Sequence, residues 1–340
     1  MKRFLFKTLC LLAVAAIVPY ASFAQNKKPV PVILDTDIGP DYDDAGAMAL
    51  LHAFADKGEA KILATIASNK YPRIAAVLDV INTYFNRPDL PVAVPKSSGV
   101  DIGVWQKWDS VITEKYPHSI KSNDDVLSAT ELYRKILAAQ PDKSVVIVTI
   151  GFLTNMADLL GSGPDQYSPL SGNELVKKKV KQLVCMAARF DKEMGKFKEF
   201  NVVRDSVASI ITFGNWPGPV YFSGFEIGKK IFTGLPLINS NITNSPVKDI
   251  FSISIPKGGE EDKNGRMSWD QTAVLIAVRG WQKYYTLQPG RMICNADGSN
   301  LWDAKGKGHF YIKEKMPAKE VEKLINQLMM HQPSAITSVK

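Results

Sequence analysis

The stretch VPVILDTDIGPDYDDAGAMALLHAFADKG, residues 30–58, decides the fold. Its first five residues are apolar or β-compatible and read as a strand buried on both faces. From Asp44 to Ala55 the apolar residues Ala45, Met48, Ala49, Leu51, Ala53 and Phe54 recur at helical spacing, and Gly58 is a stop signal. A strand that runs through a short acidic turn into a helix is a βα unit. The alternation continues outward from it. Residues 62–67, 91–94, 145–150, 182–187 and 220–223 read as strands, and 74–85, 129–139, 153–160, 206–213, 272–278 and 321–330 read as helices. This predicts an α/β fold with a mostly parallel central sheet and helices on both faces. No internal repeat or low-complexity linker breaks it, so residues 25–340 read as one domain.

Composition narrows the function classes. The 340 residues are 45% hydrophobic and 22% charged, close to globular averages, which excludes disordered and fibrous readings. Lys and Arg outnumber Asp and Glu by 42 to 34, but the excess is scattered and forms no basic stripe with interleaved aromatics, so nucleic acid is not an expected partner. Residues 1–24 have the three parts of an export signal: Lys2, Arg3 and Lys7, an apolar run over 9–18, and Ser22-Phe23-Ala24 before Gln25. That run is shorter than the roughly 20 residues that span a bilayer. The expected product is an exported chain, periplasmic or secreted, with no membrane partner after processing. Cys185 and Cys294 then remain. Cys185 sits in an apolar run and reads as a buried free thiol, so the core must hold the fold.

Asp35, Asp37, Asp41, Asp43 and Asp44 put five carboxylates within ten residues, at the carboxyl end of a strand and the start of a helix. That edge is where parallel α/β sheets bind ligands. Helix capping accounts for one or two aspartates, and packing five together costs free energy unless a cation offsets it. Hard oxygen donors without His or Cys favour Ca²⁺ or Mg²⁺ over zinc. An EF-hand is excluded, because the twelfth position from Asp35 is Gly46 where a Glu is required.

The order Asp35-x-Asp37-x-Gly39, then Asp43-Asp44-Ala45 opening a helix, resembles the inosine-uridine-preferring nucleoside hydrolase family. The resemblance runs on through Ser68-Asn69, Ile150-Gly151-Phe152-Leu153-Thr154-Asn155, Met186, Glu199-Phe200-Asn201 and Trp269-Asp270. It implies a Rossmann-like open sheet, a nucleoside or related riboside as substrate, one Ca²⁺ as cofactor and a homo-oligomer. Asp37, Asp44, Asp270 and the main-chain carbonyl of Ile150 would hold the ion, and Asp37 would also be the general base. Asp43, Asn69, Glu199 and Asn201 would bind the ribose hydroxyls, with Met186 beside the sugar; the aromatic ring of Trp269, a departure from the family, is itself suited to stack on a base. Such a site would hydrolyse an N-glycosidic bond through a metal-activated water and an oxocarbenium-like transition state.

Taken singly, several of these residues have structural readings. Glu199 and Asn201, on the same side of an extended segment, also suit an ion pair with Lys196 or Lys198 and a turn. Asp270 suits an N-cap and Asn69 a turn. The pattern also departs from the family. The acidic turn is two residues longer, which adds Asp41, and Trp269 stands where many purine-acting members have a leaving-group His. Of the remaining histidines, His118 lies in the irregular stretch 97–125 and is a candidate to approach the pocket, His52 is a structural candidate within the first helix, and His309 and His331 are far from the motifs. Trp105 and Trp108 are further stacking candidates, and Tyr42, Tyr116 and Arg266 are candidates for leaving-group contact. The stretches 97–125 and 257–266 read either as site walls or as solvated loops. Two rival functions stand beside the hydrolase: a riboside- or Ca²⁺-binding protein without turnover, and a haloacid dehalogenase-type phosphatase. The phosphatase fits poorly, because Ile38-Gly39 and the early Asp43-Asp44 pair break its pattern.

Overall fold

The computed structural model describes residues 28–96 and 99–333, so the segment read as an export signal, residues 1–24, lies outside the described residues. Among the described residues twelve strands form: β1 (Val30–Thr36), β2 (Ala60–Ala67), β3 (Val92–Val94), β4 (Leu127–Ser128), β5 (Val145–Thr149), β6 (Val180–Met186), β7 (Val220–Ser223), β8 (Phe232–Thr233), β9 (Arg266–Met267), β10 (Tyr285–Cys294), β11 (Asn300–Asp303) and β12 (His309–Glu314). Ten of them make one sheet in the order β4-β3-β2-β1-β5-β6-β7-β12-β10-β11, with β8 and β9 as a separate pair. Neighbours from β4 through to β12 run parallel, and β10 is antiparallel to both β12 and β11. The expected α/β architecture is therefore present. The antiparallel edge β10–β12 was not expected. Its strands are only half-buried, and Pro289 and Gly290 interrupt the apolar alternation that marks a strand.

The chain steps from β1 outward to β4 and then returns to place β5 on the other side of β1. This reversal opens a crevice at the carboxyl ends of β1 and β5. The acidic turn after β1 and Ile150 after β5 both sit there. Two glycines let backbone and side chains close in on this point. A Cβ on Gly151 would meet the Asp37 nitrogen at 2.4 Å and the Ser68 hydroxyl at 2.6 Å, so only glycine lets the turn after β5 lie against β1. A Cβ on Gly46 would meet Gln271 at 2.5 Å and Met329 at 2.9 Å. That glycine lets the helix Asp43–Asp56 pack closely under the helices Trp269–Arg279 and Ala318–Met329. Asp43–Asp56 is buried from Asp43 to Phe54, which explains its near-continuous apolar sequence.

These approaches give a paired prediction. Gly151→Ala should cost about 1–3 kcal/mol in urea unfolding, because the backbone of Asp37 has little room to retreat. Gly161→Ala, whose Cβ meets nothing within 4 Å, should be neutral or slightly stabilising. Equal effects from the two would contradict the packing argument.

Candidate functional site

Asp43, Asp44 and Asp270 each contribute a carboxylate oxygen to a group whose members all lie within 4.8 Å of one another. Asp43 and Asp270 are 227 positions apart in sequence. They meet because Asp43 Oδ2 accepts the backbone N–H of Trp269 (3.0 Å) and of Asp270 (3.2 Å). Asp43 thus supplies an acceptor to the first turn of the helix Trp269–Arg279, whose own N-cap, Ser268, gives no side-chain bond. Asp270 lies inside that first turn rather than at the cap, so its carboxylate is left to face the other acids. Thr36 Oγ1 donates to Asp44 Oδ1 at 2.5 Å, while Asp44 Oδ2 is buried without a hydrogen-bond partner.

All four acids of this neighbourhood are almost fully buried: Asp37 is 3% exposed, Asp43 1%, Asp44 0% and Asp270 4%. Burial pushes Asp44 up to about 7. It also pushes Asp37, Asp43 and Asp270 well above the usual carboxylate range, and the surrounding acids push further in the same direction. Arg266 is the cation that opposes this, with Nε 3.5 Å from Asp43. One guanidinium does not balance four buried acids. Hard oxygens, an unpartnered buried carboxylate oxygen and unneutralised charge fit a divalent cation of the Ca²⁺ or Mg²⁺ kind. The tightest triad contains Asp43 where the resemblance implied Asp37. Asp37 adjoins it: its carboxyl responds to the charge of Asp44, and that of Asp270 responds to Asp37.

A cavity of about 450 Å³ opens over these acids, and Asp37, Asp43, Ile150, Met186, Glu199, Asn201, Trp269 and Asp270 all line it. Glu199 and Asn201 do not share an extended segment: Glu199 is extended, but Asn201 lies in the helix that follows it. Glu199 caps that short helix, Phe200–Arg204, its carboxylate accepting N–H bonds from Asn201 and Ala188 at 3.0 Å and from Val202 at 3.2 Å. Burial pushes it up to about 7 in spite of those bonds. Among the described residues the ion pair read for it with Lys196 or Lys198 is absent, and Lys198 pairs with Asp297 instead. Asn201 Nδ2 donates to Met186 O (3.1 Å) and Ile150 O (3.3 Å), tying the ends of β5 and β6 together at the cavity floor.

Other expected residues lie elsewhere. Asn69 is fully buried and outside the cavity lining. Its side chain bridges the Asp37 carbonyl and both backbone groups of Ile102, so it shapes the turn that carries Asp37. Trp108 is buried in the core and Trp105 is exposed, and neither lines the cavity. Nor does His118, whose Nδ1 pairs with the Tyr116 carbonyl. Tyr42 donates to Asp262 and Tyr116 to Asp249. His52 is buried against Asn82 and Phe85, and His309 beside Met292, as structural residues. Among the described residues, nothing in the stretch 97–125 lines the cavity, whereas Glu261 and Arg266 of the charged loop do. Asp41 lines it too and is ion-paired with Arg266. Sequence reading missed Phe197 and Phe225, which pack together at 4.5 Å in the cavity wall. Phe197 lies in the alternating run Lys196-Phe197-Lys198-Glu199, a usable signal; Phe225 carries none.

The sequence model described as inosine-uridine preferring nucleoside hydrolase matches residues 32–321. A segment of 73 residues is 34% identical to an uncharacterized protein of Methanocaldococcus jannaschii, covering 21% of this chain and 43% of that one, so less than half of that curated relative is matched. In structure the chain is similar to a plant nucleoside hydrolase, with a TM-score of 0.67 at 18% identity over 89% of this chain and 99% of that one. It is also similar to the purine-preferring ribonucleoside hydrolase of Gardnerella vaginalis, with a TM-score of 0.68 at 18% identity over 88% and 99% of the two chains. These likenesses show a shared fold.

The acid cluster predicts a linked response to pH and cation. Carboxyls whose folded pKa is raised hold protons that the unfolded chain has lost above about pH 4, so without cation their contribution destabilises the fold increasingly as pH rises from about 4 through 7. Asp270→Asn removes one repelling charge. In chelator-treated protein it should raise Tm above the parent's at about pH 8, with the difference closing toward about pH 5. The same substitution should remove most of the Tm rise that Ca²⁺ gives the parent. A lower cation-free Tm at high pH, with the Ca²⁺ response intact, would contradict the cluster's role.

Proposed function

The chain belongs to the inosine-uridine preferring nucleoside hydrolase family, and on that premise we propose that it hydrolyses the N-glycosidic bond of ribonucleosides to free base and ribose with Ca²⁺ as its cofactor. One observation carries the reading: buried acids 227 positions apart in sequence converge under a cavity lined by Glu199 and Asn201. A haloacid dehalogenase-type phosphatase would also gather acids around a cation, but Ile38-Gly39 breaks the motif it needs after Asp35-Thr36-Asp37.

Asp44, Asp270 and the Ile150 carbonyl, with Asp37 or Asp43 beside them, would hold the ion. When bound, a Ca²⁺ supplies positive charge that orients a water and two vicinal hydroxyls and lowers the water's pKa. The other duties fall to side chains. Asp37 faces the cavity and takes the water's proton; burial and neighbouring acids raise its basicity. Glu199 is held rigidly by three backbone N–H groups, so it can accept from a ribose hydroxyl and oppose the positive charge that builds on C1′ and the ring oxygen. Asn201 is fixed by Met186 and Ile150 and offers its amide oxygen to a second hydroxyl. Export and self-association belong to the same reading, the first from residues 1–24 and the second from the family resemblance.

Ribose release from a panel of purine and pyrimidine ribosides tests this. Activity should vanish with chelator and return with Ca²⁺. Asp37→Asn should lower kcat by about 10²–10⁴ while the protein stays folded. Tight riboside binding without ribose release would favour a binding protein, and an Asp37→Asn variant with parental turnover would remove Asp37 as the base.

A further inference from the structure

Cleaving the C1′–N bond sends its electron pair to the departing base, and that charge needs a partner. A histidine or tyrosine is a common donor, but none lines the cavity among the described residues. The indole N–H of Trp269 is taken by the Phe225 carbonyl at 2.8 Å.

Arg266 is placed differently. It sits on β9, lines the cavity, and has only 11% of its side chain exposed. Its guanidinium carbon lies 5.0 Å over the Tyr42 ring and 5.1 Å over the Trp269 ring, within the aromatic side of the cavity. Nη2 is held by Asp41. Nε is 3.5 Å from Asp43 and has no hydrogen-bond partner. Nη1 stands 3.6 Å from Asp262 and 3.9 Å from Glu261, beyond hydrogen-bond length, so it keeps donors to offer. The fork is thus clamped on one nitrogen and open on another. Asp41 belongs to the turn that is two residues longer than the family's, so one local departure supplies the clamp where another, Trp269, removes the acid.

We infer that Arg266 is the leaving-group residue of this site, resting on the nucleosidase reading, and that Asp41 is its positioning residue. Water oxygen bonds to C1′ as the C1′–N bond breaks. The water's proton goes to Asp37, and the electron pair leaves with the base. The base departs as an anion held by Arg266 N–H groups and is then protonated by solvent. An arginine has no proton to give at neutral pH, so its help is electrostatic. The site therefore favours bases whose carbonyl or ring-nitrogen acceptors carry the developing charge.

The test compares Ca²⁺-loaded parent, Arg266→Met, Arg266→Lys and Asp41→Asn on uridine or inosine and on 4-nitrophenyl riboside, whose leaving group is a stable anion without assistance. Arg266→Met should lower the ratio of kcat/KM for the nucleoside to that for the nitrophenyl riboside by about 10²-fold, with Arg266→Lys restoring part of the ratio. Asp41→Asn should move the ratio the same way by about tenfold. Equal losses on both substrates would make Arg266 a structural partner of Asp43 and overturn the inference, as would an unchanged ratio. A parent inert toward both substrates would overturn the nucleosidase reading and this inference with it.

Discussion

The pair of hydrogen bonds from the backbone N–H groups of Trp269 and Asp270 to Asp43 Oδ2 is the constraint on which the site depends. It joins the start of the helix Asp43–Asp56 to a helix that begins more than two hundred residues later. Capping of this kind contributes about 1 kcal/mol, whereas gathering several charged carboxylates out of water costs several kcal/mol. The geometry therefore makes sense with an offsetting charge. Arg266 supplies part of it from one side, and the unpartnered Asp44 Oδ2 marks where a divalent ion would supply the rest.

The scaffold holds this unfavourable arrangement by packing. Gly151 brings the turn after β5 against Asp37, and Gly46 brings the helix under the acids against Gln271 and Met329. Asn69 spends its side chain on Asp37 and Ile102 backbone, and Asn201 spends its amide N–H groups on the ends of β5 and β6. Each is a buried polar group satisfied by main chain, which fixes the cavity before any ligand arrives. Preorganisation of this kind is what electrostatic catalysis requires, because groups already aimed at the developing charge need not reorganise.

Much of this was legible in the sequence. The βα alternation from Val30 onward comes from short-range periodicity, and the structure contains every strand so read. The number of aspartates after β1 pointed to a cation site, and two of them, Asp43 and Asp44, lie in the buried acidic group. Their meeting with Asp270 was legible only through the family resemblance, since nothing local to Trp269-Asp270 encodes a contact with Asp43. The same limit hid the role of Asn69 and the burial of Trp108, and it left Arg266 undistinguished from Tyr42 and Tyr116 as a leaving-group candidate. Each depends on which loop packs on which. The edge strands β10–β12 escaped because half-exposed strands with Pro289 and Gly290 lack a clean period.

Anomalous diffraction from a crystal grown in Ca²⁺ tests the central claim most directly. The account predicts one ion at about 2.3–2.6 Å from oxygens of both Asp44 and Asp270, with the Ile150 carbonyl in its shell. A protein crystallised in saturating Ca²⁺ with no ion between Asp44 and Asp270, or with its ion bound elsewhere, would contradict it.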